Sequence, residues 1–147
     1  MFTVTTATLE ESTAILSEPH LLTLLKSKPT LTQLPAYLAA RAIPYNIIRY
    51  KSYKLLFEYK PRTTGVYEIH IACPKASIVA SRVLSIATIV WLFSNLPDSK
   101  ALITSCPEGK IANMCRKVGG RELHRVGNTV HFIITADCYQ QTTHTTD

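Results

Sequence analysis

"YEIHIACPKASIVASRVLSIATIVWL", residues Tyr67 to Leu92, is the stretch on which the fold turns. Val66 to Ala72 is rich in Tyr, Ile and Val and alternates, as a strand does, and a short turn, Cys73-Pro74-Lys75-Ala76, follows. From Ser77 to about Asn95 the apolar residues recur densely enough to specify a long helix, ended by Leu96-Pro97-Asp98. Strand-to-helix turns often hold a phosphate, because the first N–H groups of the helix point at the turn. Such loops usually carry glycine so that the backbone can approach the ligand. This one has none, so it is either a worn cofactor site or was never one.

Upstream, "FTVTTA" (Phe2–Ala7) alternates as a first strand. "TLEESTAILSEPHLLTLLKSK" is helical, with Thr8 as its cap, acidic residues in its first turn and Pro19 breaking it or starting a second helix. Thr30–Ala42 is a further short helix. "PYNIIRYKSYKLLFEYK" and "GVYEIHIA" then give consecutive antiparallel strands, with Pro61-Arg62-Thr63-Thr64-Gly65 as the turn before the last. Downstream, Ala101–Ser105 is a short buried strand, and Ser105-Cys106-Pro107-Glu108 has the form of a capping box. Ile111, Met114, Cys115 and Val118 make the apolar stripe of the helix it would open, and Gly119 stops it. Gly127-Asn128 joins two closing strands.

The expected order is β-α-α-β-β-β-α-β-α-β-β: an α/β (α+β) fold with a mixed, mostly antiparallel sheet and helices on both faces. The strands flanking the long helix would be parallel neighbours joined by a right-handed crossover. A single domain over residues 1–138 and a loose tail over 139–147 are expected.

The chain of 147 residues has a net charge of +6 and 46% apolar content, which excludes wholesale disorder. The first twenty residues hold Glu10, Glu11 and Glu18 and no base, so the remainder carries +9. Two basic stretches, Arg49 to Arg62 and Arg116 to Arg125, suit an anionic partner or a solvated surface. The four cysteines show no metal-binding spacing, and no secretory leader is evident, so an intracellular protein without a metal is expected. Ala76 to Phe93 approaches the length of a membrane span, but Ser81, Ser85 and Thr88 recur at helical spacing as a polar stripe beside Arg82. A mostly buried helix against a sheet fits better than a span.

The element order, together with "PEGKIANMCRKVGGREL", resembles the GNAT (N-acetyltransferase) superfamily. Ala112, Lys117 and Gly119 fall on the family's Asn-x-x-Ala-x-x-x-x-Lys-x-Gly-Phe pattern. Gly109 replaces its asparagine, Cys115 the tyrosine that often serves as general acid, and Gly120 its phenylalanine. The acetyl-CoA signature Gln/Arg-x-x-Gly-x-Gly/Ala is absent, and Pro74 contributes no N–H. The resemblance implies a degenerate cofactor loop at Lys75, Ala76 and Ser77, with Ala112 and Arg116 as further cofactor-side positions. Glu68 and His70, on one face of the fourth strand, and Cys115 are the candidates for catalysis. The alternative reading makes Glu68 and His70 a polar strand face or a cross-strand pair with Lys or Arg, and Cys115 a core residue. His124 and His131 would face each other across the closing hairpin.

The longer run "NIIRYKSYKLLFEYKPRTTGVYEIHIACPKAS" looks similar to small bacteriophage GNAT-like proteins of head assembly and the virion interior. That similarity implies a non-catalytic protein of the virion or host cytoplasm without cofactor, partnered by capsid, portal or internal virion proteins. The alternative is an acyl-CoA-dependent N-acetyltransferase using acetyl-CoA through an atypical pyrophosphate loop. A non-specific nucleic-acid binder is a third reading, resting on charge alone.

Overall fold

A computed structural model describes residues 1–139 of the chain; the expected tail lies, but for its first residue, outside the described residues. Seven strands form a sheet in the order β1-β2-β3-β4-β5-β7-β6. They are β1 (Thr3–Thr6), β2 (Asn46–Tyr50), β3 (Tyr53–Thr63), β4 (Val66–Ala72), β5 (Ala101–Pro107), β6 (Arg121–Val126) and β7 (Thr129–Thr135). The helices are α1 (Leu9–Leu16), α2 (Pro19–Leu22), α3 (Leu34–Ala39), α4 (Ser81–Asn95) and α5 (Lys110–Lys117), with a 3-10 segment, Lys75–Ala80, leading into α4. The fold class matches that read from the sequence, and the element order differs by one helix, since three rather than two separate β1 from β2. β4 and β5 are parallel, and the other registered pairs are antiparallel.

Two compact units share these elements: Met1–Glu58 with Ile71–Leu84, and Tyr59–His70 with the chain from Ser85 onward. In the first, β1 pairs with β2 and β2 with β3. Its core draws Ile15, Leu16, Leu34, Leu38, Ile47 and Leu56 together. Full burial of each such side chain is worth about 1.5–3 kcal/mol. α1 begins as expected: Thr8 accepts from the Glu11 amide and Glu11 answers on the Thr8 amide, both at 3.0 Å. Pro19 opens α2 rather than sitting inside a helix.

In the second unit, β5 pairs with β7 over its whole length, and β6 closes on β7 through the Gly127-Asn128 turn, where Gly127 has φ +60°. α5 packs on the face formed by Cys106, Val130 and Phe132, with Ala112 and Cys115 turned into that cluster. The opposite face, which carries Glu68, Ile103, Ser105 and His131, stays half-open.

Three expectations need correction. The capping box at Ser105–Glu108 does not form, because β5 continues to Pro107 and its pairing with β7 claims those residues. Gly109 precedes the helix instead, at φ +138°, a conformation that L side chains rarely adopt. The buried side of α5 runs through Ala112 and Cys115, while Ile111 is exposed. Second, Pro61 to Thr63 belong to β3, so the turn shrinks to Thr64-Gly65.

Third, α4 is not the mostly buried helix expected, and its polar stripe points inward. Ser85 and Thr88 are buried beside Leu84, Ile89 and Leu92, whereas Val79, Val83 and Val90 are exposed. A helical hydroxyl can bond to the carbonyl one turn back, so burying it costs little. The run Lys75–Asn95 has a mean hydropathy of 1.9 and is 39% buried, less than expected for a core helix. It is long and apolar enough to cross a membrane by length and composition only.

Candidate functional site

The tight turn between β3 and β4 brings Arg62 opposite Glu68. Gly65 makes that turn at φ +80°, and a Cβ there would stand 2.9 Å from the Asp98 carbonyl oxygen. Arg62 donates from Nε to Glu68 Oε1 at 2.6 Å and also from Nη2. The other carboxylate oxygen, Oε2, lies 2.6 Å from His70 Nε2. Burial of Glu68 opposes its ionisation, but the hydrogen bonds from Arg62 and His70 outweigh it and hold the carboxyl below its ordinary range. An ionised carboxylate only accepts, so Nε2 of His70 is the ring nitrogen that carries a proton and donates it to Glu68. The arrangement is an imidazole oriented by a carboxylate, itself clamped by a guanidinium. The expected pairing of Glu68 with a Lys or Arg of a neighbouring strand is formed, and the partner is Arg62 of β3.

β4 is registered with β5 only from Val66↔Ala101 to Glu68↔Ile103, whereas β5 stays paired to β7 through Pro107↔Thr129. Next to the end of that pairing lies a cavity of about 200 Å³, lined by Glu68, Ile103, Ser105, Leu123, His124 and His131 among others. The register places Ser105 opposite His131 and His131 opposite His124. The two imidazole rings stack with centroids 4.2 Å apart and planes 10° from parallel. An irregularity between Glu122 and His124 shifts the β6 register, and both Leu123 and His124 line the cavity. The hairpin facing of the two histidines was expected; their place beside Glu68 was not, because a bulge leaves no mark in the alternation.

In the first unit, the turn after β4 makes a different arrangement. The Lys75 amide donates to Glu18 Oε1 at 2.9 Å, and His20 Nε2 lies 3.1 Å from the Cys73 carbonyl oxygen. Ser77 is buried; its amide donates to the Pro74 carbonyl at 3.0 Å and its hydroxyl accepts from the Lys54 amide at 2.9 Å. Burial, then the Glu18 charge, push the Cys73 thiol up to about 11. The turn therefore already binds an oxyanion, supplied by the chain itself. In kind, that donor suits a phosphate oxygen. In number, the turn falls short of a glycine-rich loop, since Pro74 has no N–H and the Ser77 amide is committed.

The remaining candidates lie around α5. Ala112 is fully buried and Cys115 packs against the Cys106, Val130 and Phe132 cluster. A hydrogen bond with Cys106, then burial, push the Cys115 thiol up, so it is protonated at neutral pH. Arg116 donates to both oxygens of Glu108, at 3.1 and 3.0 Å, and Arg125 reaches Glu108 and Glu122 at 3.0 and 3.2 Å. Those bonds, from Arg116 first, pull the Glu108 carboxyl down to about 2. Arg49 is likewise paired with Glu11, and Arg62 with Glu68. The arginines of both basic stretches are thus largely committed to carboxylates of the chain. Among the described residues no group of three or more His, Cys, Asp or Glu side chains is placed to hold a metal ion.

No family model and no curated protein matches the sequence. Solved structures do match. Aminoglycoside acetyltransferase AAC(6')-Ib in complex with coenzyme A aligns over 97% of this chain and 99% of its own, with a TM-score of 0.72 at 17% identity. A GNAT-family acetyltransferase from Bacillus anthracis aligns over 92% and 95%, with a TM-score of 0.71 at 11% identity. An aminoglycoside N(6')acetyltransferase from Legionella pneumophila aligns over 96% and 95%, with a TM-score of 0.66 at 12% identity. At such identities the likeness establishes the fold, and the fold is that of the GNAT acetyltransferases.

Proposed function

We propose that the chain is an acyl-CoA-dependent N-acyltransferase in which His70 is the general base and Glu68 orients it. The observation that carries this reading is the Glu68–His70 hydrogen bond at 2.6 Å, on the strand whose pairing with β5 ends at Glu68. Acyl-CoA, when bound, supplies the thioester carbonyl that an amine attacks. The chain's own residues manage the proton. His70 Nδ1 takes it from the acceptor amine, the imidazolium keeps its Nε2–H on Glu68, and Arg62 keeps Glu68 ionised throughout. We assign the phosphate contact to Lys75, through its amide and its ammonium, once Glu18 is displaced; the amide's present bond to the Glu18 carboxylate supports this. Coenzyme A in the name of a structurally similar protein is consistent with this assignment.

The test is release of CoA thiol from acetyl-CoA with a panel of primary amines. His70→Ala is expected to lower turnover by about 100-fold or more, the usual contribution of a positioned base. No release by the unaltered protein with any amine would contradict the reading.

A second reading rests on the Lys75 amide being held by Glu18. It takes that contact as the sign of an abandoned cofactor loop, on a bacteriophage GNAT-fold protein acting in head assembly or inside the virion with capsid, portal or internal proteins. Copurification with assembled particles, together with failure to bind acetyl-CoA, would favour it. A nucleic-acid role through the basic surface is weakened by the arginine–carboxylate pairs, and would require binding that falls steeply with salt.

A further inference from the structure

The cavity beside Glu68 points to the acceptor. We propose that Glu68, Ser105 and the stacked His124–His131 pair form a binding site for one unbranched alkylammonium arm, as carried by a lysyl side chain or a polyamine end. This rests on the acyltransfer reading and extends it to the substrate.

Size argues first. About 200 Å³ is less than the roughly 300–1,000 Å³ of pockets that bury a whole drug-sized ligand, so the cavity admits an arm rather than a sugar scaffold. Chemistry argues second. An ammonium has three donors and no acceptor. The lining offers acceptors of three kinds: the Glu68 carboxylate, the Ser105 hydroxyl and a ring nitrogen of the histidine pair. The register sets Ser105 directly opposite His131, and His131 opposite His124, so all three stand on the face that carries Glu68. Ile103 and Leu123 are the apolar side chains of the lining on this face and suit the methylenes of the arm.

Charge argues third. Glu68 is the only carboxylate in the lining, and its Arg62 partner is already engaged. The cavity therefore disfavours anions. The shift in β6 register matters here, because it accompanies Leu123 and His124 lining the cavity together.

The test uses the full chain without cofactor and reads the imidazole NMR signals of His124 and His131. The probes are 1,5-diaminopentane, a lysyl peptide with blocked termini, kanamycin and hexanoate. The expected result is a saturable shift of both histidines with the diamine and the peptide, and none with kanamycin or hexanoate. The tighter of the two binders identifies the source of the arm. Leu123→Trp, at a residue 54% exposed, is expected to weaken binding at least tenfold without disturbing the core. Ser105→Ala is expected to weaken it several-fold. Absence of a shift with both amines, an equal shift with hexanoate, or unchanged affinity in Leu123→Trp would overturn the proposal. Saturable amine binding without acyl transfer would sustain this site and refute the acyltransfer reading. Transfer to an amine that leaves both histidines unmoved would do the reverse.

Discussion

His70 and Glu68 are two residues apart, and the geometry divides their labour. In the proposed acyl transfer His70 takes the proton, while Glu68, 2.6 Å from its Nε2, fixes the ring and carries the counter-charge. Glu68→Gln is therefore expected to reduce turnover less than His70→Ala does, because an amide still accepts from Nε2 but no longer balances an imidazolium. Acid stability reports on the same pair independently of any activity. The folded Glu68 carboxyl sits below its ordinary value of 4.5. Its contribution to stability is thus fully present above that value and is lost as pH falls through the lower, folded one. Chemical denaturation followed from pH 6 to pH 3 should show a loss of stability that Glu68→Gln lacks at the acid end. Equal profiles for the two proteins would remove the argument. Cys73, pushed up by burial and by Glu18, should react with iodoacetamide at pH 8 more slowly in the folded protein than in the unfolded chain.

At the scale of elements, the turn after β4 behaves as a strand-to-helix junction holding an internal anion. Glu18 belongs to the short connection between α1 and α2, so replacing it touches neither the sheet nor the long helix. Glu18→Ala should expose the Lys75 amide and tighten acetyl-CoA binding several-fold; unchanged or weaker binding would show that Glu18 does not compete for that donor. The junction after α5 is as tightly built. A Cβ on Gly120 would meet the Cys115 carbonyl oxygen at 2.8 Å. Gly120→Ala should therefore cost about 1–3 kcal/mol in a denaturant titration, the usual penalty for overpacking. This also explains why glycine stands where the family pattern has phenylalanine: the following residue approaches backbone. Capping at Thr8 was readable from sequence, because a capping box is local chemistry. Capping at Ser105 was misread for the same reason, since an equally good local pattern lost to the seven-residue pairing of β5 with β7.

For the molecule as a whole, the order of elements and the fold were legible because each strand and helix announces itself by period and by turn residues. Gly127 closing the last hairpin and Gly119 ending α5 are positions of that kind. The candidate site was only half legible. Glu68 and His70 share a strand face by simple alternation, so their pairing could be foreseen. The pairing of Glu68 with a basic residue could be foreseen too, but Ser105, His131 and Glu18 reach their partners at long range or through a shifted register, and no local pattern encodes such a meeting. The buried hydroxyls of α4 mislead similarly, because helical spacing shows that a stripe exists but not which way it faces.

The central claim is that a glycine-free turn on a GNAT fold still serves an acyl-CoA enzyme. Calorimetric titration of the full chain with acetyl-CoA tests it most directly. The account predicts one saturable site of micromolar affinity, retained in His70→Ala and weakened when Lys75→Glu adds a charge at the turn. No binding up to millimolar acetyl-CoA, in a protein that remains folded, would contradict it.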